Sequence, residues 1–133
     1  MNTNIPRILL VDCELKILEL IPRILKNLRV EIITAKTGEE GLDILRNSNE
    51  FALTISNNYL GQGINGREFL KLVNEHSPNT VRILMSAGLD EDSLLENQKE
   101  SAFDSITRKP ILFTNFIGQV ESSIKEYLEN IKS

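Results

Sequence analysis

The segment Gly61-Gln62-Gly63-Ile64-Asn65-Gly66 spells GxGxxG between an apolar run and an amphipathic stretch. That spacing lets backbone amides wrap a pyrophosphate at a helix start. Such a site also needs an acidic residue about 20 positions further on to hold a ribose, and the end of the next apolar run carries Ser86 instead. The glycines therefore read as a flexible turn. Cys13 is the one cysteine of the chain; a nearby lysine would activate its thiol, but no second thiol exists to resolve an oxidised one, so it reads as a small filler. His76 is the one histidine and stands before Ser77-Pro78, where a partial positive charge suits a helix end. Asp90-Glu91-Asp92 reads as the acidic first turn of a helix rather than a cation site. The remaining candidates each stand just after an apolar run: Asp12 and Cys13, Asn57 and Asn58, Ser86 and Ala87, and Lys109.

The elements that must position them alternate between two patterns. Short apolar runs occur at Ile8–Val11, Glu31–Ala35, Phe51–Ser56, Val81–Met85 and around Ala102–Thr107, and longer amphipathic stretches separate them. The first such stretch has Leu18, Ile21, Leu25 and Leu28 on one helical stripe. Pro22 lies inside it and should remove a hydrogen bond and kink the helix, at up to about 3 kcal/mol. Thr37 and Glu40 form a capping box at the next helix start, with Leu42 and Leu45 on its apolar side. Phe69, Leu70 and Val73 mark a third helix. Phe113, Phe116, Ile117, Val120, Ile124, Tyr127 and Leu128 mark the last, a stripe wider than one buried face needs. Tyr127 and Leu128 are accordingly expected to be exposed and open to a partner or second copy. Strands alternating with helices imply parallel pairing, right-handed crossovers and helices on both faces. In such sheets ligands bind outside the carboxyl ends of the strands, where the candidates stand.

Four motifs in order carry a family resemblance. "ILLVDCELKIL" is similar to the opening of a response-regulator receiver domain, in which a strand ends in two acidic residues. "FALTISNNYLGQGINGREFL" resembles its third strand, phosphorylation loop and third helix start. "VRILMSAG" is similar to the fourth strand with its terminal Ser or Thr followed by Ala, and "ITRKP" to the fifth strand ending in lysine before a usually cis proline. The resemblance implies an α/β fold: a doubly wound (βα)5 domain, flavodoxin-like, with a five-stranded parallel sheet in the order 2-1-3-4-5. It covers residues 1–133 as a single receiver-like domain. It also implies chemistry. An aspartate after the third strand accepts a phosphoryl group, acidic residues hold Mg²⁺ to neutralise charge, and lysine with the hydroxyl holds the phosphoryl oxygens. Asp12 matches the first acidic position, Ser86 the hydroxyl, and Lys109 with Pro110 the lysine–proline pair.

The departures from that pattern set the functional expectation. The second acidic position is Cys13, a poor partner for hard Mg²⁺. The phosphoacceptor position is Asn57, or Asn58 in a register shifted by one, because the loop to Gly66 is one residue longer than usual. Either is an amide without a carboxylate's charge or nucleophilicity. The aromatic residue that usually precedes the lysine by three is Ile106, or Ser105 if one residue is inserted. Glu14 lies one residue beyond the place where it would replace the missing acid. With two anionic partners gone, a direct or water-bridged Asp12–Lys109 pair is expected to hold the site shut, against a weak residual Mg²⁺ site on Asp12. No cofactor is otherwise expected. The chain is thus expected to be a pseudo-receiver, not an enzyme: a phosphorylation-independent interaction module of two-component or phosphorelay signalling. Its expected partner is a protein, a histidine kinase or an effector, or a second copy in a homodimer. The alternative is a Mg²⁺-dependent phosphoreceiver with an unconventional acceptor such as Ser56 or Tyr59.

Composition agrees with this class. The 133 residues suffice for one core, and 41% apolar with 26% charged residues is a globular mix. A net charge of −4 with 15 scattered Lys and Arg offers no basic face for nucleic acid. No apolar run approaches the roughly 20 residues that span a bilayer, and no secretory signal opens the chain. A cytoplasmic location is expected, and the single cysteine fits a reducing compartment.

Overall fold

The computed structural model describes residues 5–48, 50–87 and 102–132. Strands β1 (Arg7–Val11), β2 (Glu31–Ala35), β3 (Leu53–Asn57), β4 (Val81–Ser86) and β5 (Ser105–Arg108) form one parallel sheet in the order β2-β1-β3-β4-β5. The helices are α1 (Leu15–Ile24), α2 (Gly38–Arg46), α3 (Gly66–His76) and α4 (Phe113–Lys132). This is the flavodoxin-like α/β architecture expected from the sequence.

The central strands lie between two apolar layers, and their side chains divide by the two-residue period of a strand. Leu9 and Val11 pack with Leu42, Phe69 and Val73 under α2 and α3, whereas Ile8 and Leu10 pack with Leu18, Ile21, Phe116 and Val120 under α1 and α4. All residues of β3 and β4 are buried, the polar Thr54, Ser56, Asn57, Arg82 and Ser86 among them, as expected of strands covered on both faces.

Local signals set the helix ends. Pro22 sits in the last turn of α1, which stops two residues later, so it costs little of the ladder; the helix is shorter than the stripe to Leu28 suggested, though Leu25 is buried. At α2, Thr37 Oγ1 accepts from the Glu40 amide at 3.0 Å, while the Glu40 carboxylate takes the N–H of Lys36 at 2.7 Å, one residue outside the standard box. A complete capping box, Asn65 with Glu68, starts α3, so Asn65 belongs to the helix start and not only to the glycine turn.

Along α4, Phe116, Val120 and Ser123 are buried and Leu128 is exposed. Tyr127 departs from expectation. It is half-buried against the core under α1, and its hydroxyl donates to Glu50 Oε2 at 2.8 Å. Burial and the neighbouring Glu50 carboxylate push its pKa up to about 12. The acidic run at positions 90–92 lies outside the described residues. No helix among the described residues is long and apolar enough to cross a membrane.

Candidate functional site

Strand register brings the strand-end residues together. Val11 lies opposite Ser56, so Asp12 and Asn57, each one position further along, emerge side by side. Asn57 lies opposite Met85 and Ser86 opposite Arg108, and the Lys109 amide donates to the Ser86 carbonyl at 2.7 Å. Ser86 is buried, Ala87 is exposed, and the Lys109–Pro110 bond is cis. Asp12, Cys13, Asn57, Ser86 and Lys109 thus all stand at the carboxyl edge of the sheet, at the ends of β1, β3, β4 and β5.

Asp12 is completely buried. Its Oδ1 accepts from the Glu14 amide at 2.9 Å and its Oδ2 from Lys109 Nζ at 3.2 Å, the ion pair anticipated from the sequence. Burial raises the Asp12 pKa above the usual carboxylate range, and the Glu14 amide and Lys109 charge pull it only partly back. Glu14 is exposed and its Oε1 lies 3.8 Å from the same Nζ; it supplements the ion pair.

Across the pocket, two groups converge on one carbonyl. Asn57 Nδ2 donates to the Tyr59 oxygen at 2.5 Å, and Cys13 Sγ approaches the same oxygen at 3.8 Å. The face of an amide turned to a carbonyl must be its NH₂, because its oxygen would be repelled there. An ionised carboxylate at position 57 has no proton to donate and could not make this bond. Asn58 behaves differently: its amide donates to Met85 at 2.8 Å, its carbonyl accepts from Gly66 at 2.9 Å, and its Oδ1 is buried without a partner. Asn57 is therefore the residue that shares the pocket with Asp12 and Cys13, while Asn58 contributes backbone.

The glycines of the loop serve packing. Gly61 and Gly63 have φ of +78° and +88°, values open to glycine. A Cβ on Gly63 would stand 2.7 Å from the Glu39 carboxylate, which accepts from the Ile64 amide at 3.0 Å and fastens the loop to α2. A Cβ on Gly66 would lie 2.0 Å from the Asn57 carbonyl oxygen. The motif thus sets α3 tightly against the end of β3.

Beyond the pocket, Ile106 packs into the core layer under α2 and α3. Ser105 and Thr107 point the other way, where Gln119 of α4 gathers both: Nε2 donates to Ser105 Oγ at 2.9 Å and to the Ile106 carbonyl at 3.2 Å, and Oε1 accepts from Thr107. Gln119 escaped the sequence reading. Its only signal was a polar residue beside the apolar positions Phe116 and Val120.

The Mg²⁺ that receivers are expected to use does not fit these donors well. Asp12 is the one buried carboxylate among the described residues and both its oxygens already accept. Cys13 is soft, and no group of three or more His, Cys, Asp or Glu among the described residues is arranged to hold a metal.

A doubly wound sheet with an acid, a hydroxyl-bearing residue and a lysine at its carboxyl edge defines the signalling receivers as a class. The chain belongs to the response regulator receiver domain family, which it matches over residues 8–121. Among solved structures it is similar to the signal receiver domain of an HD domain-containing protein from Pseudomonas fluorescens Pf-5, at 24% identity and a TM-score of 0.89, over 99% of this chain and 96% of that one. It is similar to an adenylate cyclase from Rhodopirellula baltica at 25% identity and a TM-score of 0.85, over 92% and 90% of the two chains. A CheY-like receiver domain protein from Methanospirillum hungatei JF-1 superposes with a TM-score of 0.85 at 22% identity, over 95% of this chain and 98% of that one. No curated protein matches the chain.

Proposed function

We propose that this receiver domain acts without an aspartyl-phosphate cycle, as an interaction module in two-component-type signalling in the cytoplasm, and not as an enzyme. The observation that carries the reading is Asn57 at the end of β3, with its amide donating to the Tyr59 carbonyl. Phosphoryl acceptance needs a nucleophilic oxygen with negative charge, and a carboxamide provides neither. Two further features support it. Lys109, which would otherwise meet an incoming phosphoryl group, is already paired with Asp12. The NH₂ of Asn57 and the ammonium of Lys109 also supply, as fixed donors, the positive potential that a cation would bring. The pocket is thereby held in one arrangement, and the signal passes through a protein partner, a histidine kinase or an effector, that reads that arrangement.

Acetyl phosphate, or beryllofluoride with Mg²⁺, should leave both the intact mass and the amide NMR shifts of the protein unchanged. A stoichiometric phosphoryl adduct overturns the reading. The runner-up is an unconventional acceptor. Of the two considered, Ser56 is fully buried with its hydroxyl on the Asn57 carbonyl, whereas Tyr59 is 70% exposed beside the pocket. An adduct mapped by fragmentation to Tyr59 would support that alternative.

A further inference from the structure

The strand that ends in Lys109 is the shortest of the sheet and lies at its end. β5 has four residues, Ser105–Arg108, and among the described residues only β4 pairs with it. Ile106 is its one apolar residue, and it packs into the layer under α2 and α3. The opposite face carries two hydroxyls, Ser105 and Thr107, towards a helix that elsewhere meets the sheet with Phe116 and Val120. Gln119 of α4 takes hold of three consecutive residues there. Its Nε2 donates to Ser105 Oγ at 2.9 Å and to the Ile106 carbonyl at 3.2 Å, and its Oε1 accepts from the Thr107 hydroxyl. The Ile106 carbonyl can only accept, so the NH₂ must face it and the orientation of the amide is fixed. Both N–H donors and the oxygen of the side chain are thereby engaged with one strand.

We infer that Gln119 is a positioning residue for Lys109. The bracket it forms ends at Thr107, and the next residue, Arg108, lies opposite Ser86. The Lys109 amide then donates to the Ser86 carbonyl at 2.7 Å, which carries the same register on to the lysine. From that point the Lys109 side chain reaches past β4 and β3 to bring its Nζ within 3.2 Å of Asp12 Oδ2. A lysine stem is flexible, so the side chain by itself does not fix where its ammonium rests. The backbone position at the end of β5 has to do so. Gln119 can impose that position because it stands on α4 between the buried Phe116 and Val120. Its bonds are partly buried, where they are electrostatically stronger than in water. Without the bracket β5 loses this tie to α4, and the strand end opens more readily. None of the three bonds involves a pocket residue, so the inference holds whether or not the chain accepts a phosphoryl group.

Gln119→Met in the whole chain tests it, since it keeps the length and bulk of the side chain and removes all three bonds. In hydrogen exchange the amides of residues 105–109 should lose protection about tenfold or more, while those of β1 and β3 keep theirs. The carboxyl carbon resonance of Asp12, which senses the ammonium 3.2 Å away, should shift. Lys109 should be acylated faster by acetic anhydride, whereas the exposed Lys71 of α3 should react at its former rate. Gln119→Glu should act in the same direction, because a carboxylate cannot donate to the Ile106 carbonyl. If Gln119→Met fails to fold, Thr107→Val carries the same comparison: it deletes one bond at nearly constant shape and should give smaller changes at the same residues. A folded variant whose residues 105–109 exchange as before overturns the inference. So does an unmoved Asp12 resonance with an unchanged Lys109 rate. Protection lost evenly across all strands overturns it too, for Gln119 would then contribute to general stability alone.

Discussion

Lys109 Nζ lies 3.2 Å from Asp12 Oδ2, joining the end of β5 to the end of β1 across the two strands between them. The pair is unequal, for Asp12 is fully buried and the Lys109 side chain keeps 18% exposure. Desolvation outweighs the attraction on the acid, so its pKa is raised. Ionised Asp12 therefore costs folding stability. The unfolded acid releases its proton near 3.8 and the folded one at higher pH, so stability should fall as pH rises through that window.

Asp12→Asn removes the buried charge and keeps one acceptor oxygen, enough for one of the two donors that Asp12 now serves, the Glu14 amide or Lys109. Thermal melts should show the variant gaining on the unaltered protein as pH rises from below 3.8 to neutral, because only Asp12 then carries the cost of a buried charge. The gain should vanish below the unfolded pKa, where Asp12 is neutral in both states. A variant that loses ground as pH rises would mean that the charge attraction, not desolvation, dominates this pair.

Repair of the pocket should be cooperative. Asn57→Asp removes the donor to the Tyr59 carbonyl and adds one carboxylate, which should give weak Mg²⁺ binding and slow reaction with acetyl phosphate. Adding Cys13→Asp supplies a second hard ligand, and the double variant should bind clearly better than either single change, non-additively. Mg²⁺ titration of the four proteins measures the coupling. Equal affinity in the unaltered protein and the double variant would contradict the account of the missing ligands. Even the double variant should switch poorly, because Ile106 is packed in the core layer and Ser105 is held by Gln119.

Two glycines should respond in opposite directions to the same methyl group. At Gly66 a Cβ would stand 2.0 Å from the backbone oxygen of Asn57, a contact that no side-chain rotation relieves, and overpacking of this kind costs about 1–3 kcal/mol or more. Gly66→Ala should be destabilised in urea unfolding and should perturb the Asn57 amide resonances. Gly118→Ala enters open space and should be stabilised by about 0.5–1 kcal/mol.

Tyr127 should titrate with a midpoint of about 12, since burial and Glu50 both oppose its phenolate. The unfolded phenol ionises near 10.0, so folding stability should decline as pH rises from there towards 12. Ultraviolet difference spectra with and without Tyr127→Phe identify the group. The substitution should cost about 1 kcal/mol or less at neutral pH, because the Glu50 contact is partly exposed.

The sequence by itself determined the order of elements, the sheet topology and which residues stand at its carboxyl edge. Five short apolar runs alternating with amphipathic stretches admit few arrangements, and the strand-end motifs of a receiver are local. It also determined that the residue at the end of β3 is an amide, whichever of Asn57 and Asn58 is chosen. Only the tertiary structure decided between those two, because side chains one residue apart leave a strand on opposite faces and the sheet register assigns the face. The same holds for Tyr127, whose hydroxyl meets Glu50 from a point 77 residues away in sequence, and for Gln119, which joins α4 to β5. Both are long-range contacts that no local pattern encodes. The glycines illustrate the division most sharply: Gly66 and Gly118 look alike in the sequence, and only packing reveals that one is pressed against a backbone carbonyl while the other faces open space.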